Sequence, residues 1–342
     1  MTSATRTATT DRVELIAIDF LNLLVRFFHV GQPSDVHGVR GLLVCVAKVI
    51  RTLKPRRVVF AAEGGHQHRT ALLPTYKTHR PPKPPELAAQ IELAETALAA
   101  IGWPLIRVAG YEADDVLASI VARSLRDRDS ESRSDSATVI VSTDKDLLQL
   151  LPRCRVWNPF GDAGGWQTAD SVRAKFGCEL HQLSDWLALV GDTTDGIPGV
   201  SGIGEKTATK LLAEFGDIET AIAQAALGKI PGALGKKLKS AECWAQIELA
   251  RKLLSLVETL DVAHAARVQP DDEADAPREP RAPRAGWESR LQALRLFGAI
   301  KPLSEVFESL SGERSPDPLT STGSSPVPTA TRRPRLVEKS LF

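Results

Sequence analysis

The chain lacks paired cysteines, an apolar leader, a membrane-length apolar run and any net charge of consequence. Its four cysteines, Cys45, Cys154, Cys178 and Cys243, are scattered through 342 residues with no C-x-x-C pair. That is the pattern of reduced packing cysteines, not of a disulfide framework. Met1 to Thr10 is rich in Thr and Ser and has no apolar core, so no signal peptide is expected. No apolar run approaches the length that spans a bilayer, and the expectation is a cytoplasmic protein with no membrane contact. A formal net charge of +1, from 43 basic and 42 acidic residues, argues neither for nor against nucleic acid; only segregation of charge along the chain can inform. The seven histidines form no metal-spaced cluster, no nucleophile triad is visible, and no repeat occurs at solenoid periods.

What is present is acid, placed where apolar segments end. Glu112, Asp114 and Asp115 lie in Y-E-A-D-D-V-L, Asp144 and Asp146 in V-I-V-S-T-D-K-D, and Asp192 and Asp195 in G-D-T-T-D-G-I-P-G. An eighth, Asp19, closes the run Leu15 to Ile18. Each cluster has an ordinary explanation. Acids favour a helix N-terminus, Asp caps helices, and Asp serves Gly-bounded turns. Three acids in four residues exceed what capping needs, because close carboxylates raise one another's pKa. Taken together the clusters point to hard divalent cations held through oxygen, of the kind that clamp a phosphodiester during hydrolysis.

Strand-like runs at Glu14–Ile18, Arg57–Ala61, Leu105–Val108 and Ala137–Ser142 alternate with helical stretches at Val39–Leu53, Glu86–Ile101, Asp114–Leu125 and Leu147–Leu151. The alternation predicts an α/β domain with a mainly parallel sheet and its acids at the carboxyl edge, where open α/β folds place their sites. The expected organisation is a disordered start over 1–12, an α/β core over 13–185 with an arch at 66–100, a second region over 186–310, and a disordered tail over 311–342. Residues 66–85 are basic and broken by five prolines, and 124–136 is a charged, apolar-poor loop. Residues 268–286 read as a polar linker, and Trp287 to Leu310 regains helical spacing.

Two further motifs suggest nucleic acid. In G-I-P-G-V-S-G-I-G-E-K-T-A-T-K-L-L (196–212), Gly199, Gly202 and Gly204 crowd a turn before a helix with Lys206 and Lys210 on one side. This is a helix-hairpin-helix pattern, whose backbone amides and helix N-terminus hold a phosphate without reading bases. In the proline-broken segment, Arg69, Lys77 and Arg80 could neutralise phosphates while Tyr76 stacks a base; an ordinary solvated loop is the competing explanation.

In order, I-D-F-L-N-L-L-V-R-F-F-H (18–29), R-x-x-x-x-P-T-Y-K-T-H-R (69–80), G-Y-E-A-D-D-V-L-A-S (110–119), S-T-D-K-D-L-L-Q-L-L (142–151) and the string 189–212 resemble the 5′–3′ exonuclease/flap endonuclease family. The nearest likeness is the N-terminal nuclease domain of bacterial DNA polymerase I. The resemblance covers most of 13–310. It implies a PIN-like α/β fold with a helical arch and a helix-hairpin-helix region, acting on DNA with a 5′ end or flap, and on RNA primers. It assigns Asp19, Glu112 and Asp114 to a first Mg²⁺ or Mn²⁺ ion and Asp144, Asp146, Asp192 and Asp195 to a second. Asp115 is shared or supporting, Lys77 approaches the scissile phosphate, Arg69 and Arg80 flank it, and hairpin carbonyls can hold potassium.

One departure stands out. The family writes V-V-F-D where this chain has Val58-Val59-Phe60-Ala61, so the first site is expected to be weaker or wetter. Glu63 lies two residues on, expected beyond the strand end. A branched-DNA-binding protein with little or no catalysis is therefore the alternative, whereas a PIN-type ribonuclease lacks the hairpin. With no polymerase region after about Leu310, a stand-alone, monomeric, nucleoid-associated nuclease of replication and repair is expected. Leu341 and Phe342 at the end resemble a sliding-clamp docking peptide, though two apolar residues weigh more toward a frayed terminus.

Overall fold

In the computed structural model, residues 13–30, 32–126, 138–161, 165–265 and 283–312 are described. The termini, with Leu341 and Phe342 and the clamp contact expected of them, most of the charged loop and most of the linker lie outside them. Five strands, β1 (Leu15–Asp19), β2 (Arg57–Ala62), β3 (Leu105–Arg107), β4 (Thr138–Val141) and β5 (Arg155–Trp157), pair in parallel in the order β3-β2-β1-β4-β5. All five residues of β1 are buried, as a central strand covered on both faces requires.

The pleat divides the core. Leu15, Ala17, Val59, Ala61 and Ile140 face one side; Ile16, Ile18, Phe60, Val139 and Val141 face the other. The second side is covered by α1 (Phe20–Val30), α2 (His37–Leu53) and, after the short α3 (Gln67–Thr70), by α4 (Pro85–Ile101). α4 begins on Pro85, pre-set for a first helical turn, and ends at Gly102 with φ +93°. The first side is covered by α5 (Ala113–Arg126), α6 (Ala169–Phe176), α7 (Leu183–Val190), α8 (Glu205–Phe215), α9 (Ile218–Ala226), α10 (Gly232–Leu238) and α11 (Ala241–Leu254). Asp217 and Ser240 cap α9 and α11, their side chains accepting from Thr220 N at 2.7 Å and Cys243 N at 3.1 Å.

The segment 66–84 crosses the carboxyl edge of the sheet. It begins among the α5-side residues, where Tyr76 is buried, and delivers α4 to the opposite core. The crossing is therefore 66–84, because Ala94, Ala97, Leu98 and Ile101 of α4 are packed interior residues. Two expected helices differ. Asp146–Leu150 is a 3₁₀ turn, pinned where Arg153 and Cys154 amides return to the Leu150 carbonyl. After α12 (Val262–Ala265), the expected run Trp287 to Leu310 splits into α13 (Trp287–Ala293) and α14 (Phe297–Gly312), because Arg295 takes φ +59° between them. No described helix is long and apolar enough to cross a membrane.

Candidate active site

β1 ends on Asp19, and the site is built outward from it. Asp19 is buried, and its Oδ2 accepts from Ser142 Oγ at 2.7 Å on the neighbouring strand end. Ser142 Oγ also accepts the Asp144 amide at 3.0 Å, and Asp144 Oδ1 the Asp146 amide at 2.9 Å. A turn thus descends from Asp19 through two further acids. Asn22 locks it from α1, accepting from the Thr143 amide at 3.1 Å and its hydroxyl at 2.8 Å.

Asp114 opens α5 beside this turn. Burial first, then Asp144, Asp19 and Glu63, push its carboxyl well up. Burial likewise lifts Asp19 to about 7, opposed by the Ser142 hydrogen bond and reinforced by Asp144. Asp146 reaches about 7 by burial and then Asp144, with Lys145 opposing. So many carboxyls resisting ionisation at one sheet edge is an arrangement that a bound cation would relieve.

A second group meets the first from the hairpin side. Asp146, Asp192 and Asp195 offer carboxylate oxygens within 4.8 Å of one another. Asp146 Oδ1 is buried with no hydrogen-bond partner among the described residues. An orphaned carboxyl oxygen inside an acid cluster matches the hard-oxygen donor set of Mg²⁺ or Mn²⁺. The residues present therefore fit divalent metal.

Asp192 is held differently. Burial raises its carboxyl, but the Lys145 ammonium at 2.9 Å and the Thr194 and Asp195 amides outweigh burial and leave it below the usual range. The sequence reading missed Lys145. Lying between two acids it reads as a solvated neighbour, yet it bridges back to Asp192.

The crossing segment supplies cations from above. Lys77 sits in the left-handed region at φ +57°, where side-chain-bearing residues are uncommon. Its amide donates to the Asp195 carbonyl at 2.9 Å. Its ammonium pairs closely with Glu112 and lies 3.4 Å from Asp195. Burial lowers the Lys77 pKa, but Glu112 and Asp195 more than reverse it. Arg80 is half exposed and pairs with Asp195 Oδ1.

Two assignments are corrected. Tyr76 is 2% exposed, and its hydroxyl donates to Glu112 at 2.8 Å and Asp195 at 3.2 Å. Its ring is core and presents no face for a base; it fixes Glu112 against Asp195. Arg69 is 4% exposed, which leaves its guanidinium no open face for a phosphate. Nη1 and Nη2 donate to Asp115 at 2.5 and 3.0 Å, Nη1 approaches Glu112 at 3.0 Å, and Nε donates to the Leu253 carbonyl at 2.8 Å. Asp115 is also enclosed, accepting from the Val257 amide at 3.0 Å and the Glu112 amide at 3.3 Å. The pair ties α5 to the chain leaving α11.

The hairpin lies between α7 and α8. Its two-residue strands, β6 (Gly191–Asp192) and β7 (Ile197–Pro198), pair antiparallel, so Asp192 is part of the motif itself. A Cβ at Gly199 would fall 2.1 Å from the Val190 carbonyl, and Gly202 takes φ +80°. Gly204 caps α8, whose Lys206 and Lys210 are exposed one turn apart. The Ser201 carbonyl at the tip accepts from Lys237.

Residues 14–177 match the family model described as 5′–3′ exonuclease, N-terminal resolvase-like domain, and 178–274 the one described as 5′–3′ exonuclease, C-terminal SAM fold. A 5′–3′ exonuclease of Streptomyces coelicolor is 37% identical over 206 residues, covering 55% of this chain and 64% of that protein, so the chain spans less than two thirds of it. Flap endonuclease Xni of Photobacterium profundum is 35% identical over 215 residues, covering 61% of this chain and 80% of its own length. Among solved structures, the bacteriophage T5 flap endonuclease, in a pseudo-enzyme–product complex with DNA and metal ions, superposes with a TM-score of 0.55 at 20% identity, covering 87% of this chain and 99% of that one. The fold is PIN-like α/β, and the chain belongs to the 5′–3′ exonuclease family.

Proposed function

We propose that this chain is a metal-dependent, structure-directed 5′–3′ exonuclease and flap endonuclease, hydrolysing DNA phosphodiesters near 5′ ends in replication and repair. The observation that carries the reading is Asp146 Oδ1, buried without a partner inside a group of three acids that the hairpin completes. Asp144, Asp146, Asp192 and Asp195 would hold one Mg²⁺ or Mn²⁺, and Asp19, Glu112 and Asp114 the other. When bound, the ions supply an activated water and charge stabilisation at the leaving oxygen.

The chain's own groups do the rest. Lys77, fixed by its backbone to Asp195 and by its ammonium to Glu112, is placed to stabilise charge developing on the phosphate. Arg80, at the exposed rim, holds a phosphate next to it. Tyr76 and Arg69 position Glu112 from behind. Lys206 and Lys210, with the Gly199–Gly204 turn, hold duplex backbone without reading sequence. RNA primers as substrate and potassium at the hairpin carbonyls belong to the same reading.

A duplex carrying a labelled 5′ flap tests it. Cleavage near the junction is expected in Mg²⁺ or Mn²⁺, and binding alone in Ca²⁺. Tight binding in Ca²⁺ with no product in either active metal would make the chain a branched-DNA-binding protein instead.

A further inference from the structure

Ala61 stands in register with Asp19 at the carboxyl ends of the two central strands. Both follow the pleat that faces α5. The Ala61 methyl is fully buried and carries no oxygen, so the strand beside Asp19 adds no ligand at that level. β2 does not stop there. It ends at Ala62, whose side chain joins the opposite core with Phe60, and Glu63, the next residue, lies close enough to Asp19 and Asp114 to raise both carboxyls.

The backbone around Glu63 is clamped. Arg107 Nε donates to the Glu63 carbonyl at 2.9 Å. The Gly64 amide donates to the Tyr111 carbonyl, and the Gly110 amide to the Gly64 carbonyl, each at 2.9 Å. Residue 64 must be glycine in this packing, because a Cβ would fall 1.9 Å from the Val108 carbonyl. These contacts hold Glu63 against the segment that delivers Glu112. Its half-buried carboxylate has no hydrogen-bond or ion-pair partner among the described residues. Its charge is felt by both Asp19 and Asp114.

We propose that Glu63 supplies the first metal site with the oxygen that Ala61 cannot. A two-residue step of extended chain separates the two positions by about 6.6 Å, and the longer glutamate side chain spans part of it. The inference rests on the metal-dependent reading above and names a ligand specific to this chain.

The test is Mn²⁺ binding to the full chain without DNA, followed by the electron paramagnetic resonance of free Mn²⁺, with thermal unfolding recorded for each variant. The parent should bind two ions. Glu63→Gln should weaken one of them about tenfold or more and leave the other unchanged. Ala61→Asp in the Glu63→Gln background should recover most of the loss, and should gain less when made in the parent. A parent that binds two ions with a superimposable Glu63→Gln titration overturns this inference alone, as do equal gains from Ala61→Asp in both backgrounds. A parent that binds no Mn²⁺ overturns it together with the metal-site reading.

Discussion

Arg69 and Asp115 form a two-bonded ion pair, at 2.5 and 3.0 Å, in a core that leaves neither residue more than 4% exposed. Asp115 lies in the first turn of the helix that presents Asp114, and Arg69 lies in the segment that presents Lys77. The pair therefore holds two halves of the candidate site in fixed relation. It also fastens both to the α11 end, through the Leu253 carbonyl and the Val257 amide.

Removing one partner of such a pair leaves a buried, uncompensated charge. Arg69→Ala should cost about 3–5 kcal/mol of stability, measured by denaturant unfolding. The salt dependence of DNA binding by the remaining folded protein should stay parental. A stable variant with a shallower salt slope would instead make Arg69 a phosphate contact.

Lys77 is expected to act on chemistry more than on affinity. Lys77→Ala should lower single-turnover cleavage about 10²–10³-fold, while flap affinity in Ca²⁺ changes only a few-fold. An unchanged rate would remove Lys77 from the transition state.

The raised carboxyls predict an unusual pH response without metal. Asp19 and Asp146 have pKa values of about 7 in the fold against an ordinary 3.8. The folded state therefore binds more protons between those values, and these groups' contribution to stability falls as pH rises from about 4 through about 7. Metal binding needs the deprotonated form, so stabilisation by Mg²⁺ should grow across the same window. Melting curves with chelator and with Mg²⁺ at several pH values check both signs. A Mg²⁺ shift that is independent of pH would contradict the assignment.

Lys206 and Lys210 are exposed on one face of α8. Replacing both with Ala should weaken duplex binding and reduce the slope of log affinity against log salt by about one to two. Single-turnover cleavage at saturating enzyme should hold. A fall in that rate at constant affinity would count against the hairpin as a backbone clamp.

The acids of the site were legible in the sequence because each lies in a short string at the end of a β-branched or apolar run. The parallel sheet was legible from the same runs. β5, only three residues long, gave no such signal. The roles of Arg69 and Tyr76 were not legible. Arg69 pairs with an acid 46 residues away and a carbonyl 184 residues away, and nothing near it in the chain marks it as buried. Tyr76 looked like a stacking surface because its neighbours are basic, but its ring packs inward. Lys145 was passed over for the converse reason. Its sequence neighbours explain its charge, while its partner Asp192 arrives from the hairpin.

The most direct measurement is cleavage of a labelled 5′-flap duplex by Asp146→Asn in saturating Mg²⁺, with folding checked by melting. The substitution keeps the side-chain shape and removes the negative charge that a metal-bound carboxylate carries, at a residue whose buried Oδ1 has no partner among the described residues. A loss of about 10²-fold or more in single-turnover rate is expected, with flap affinity in Ca²⁺ retained. A folded Asp146→Asn variant that cleaves at the parental rate would contradict it.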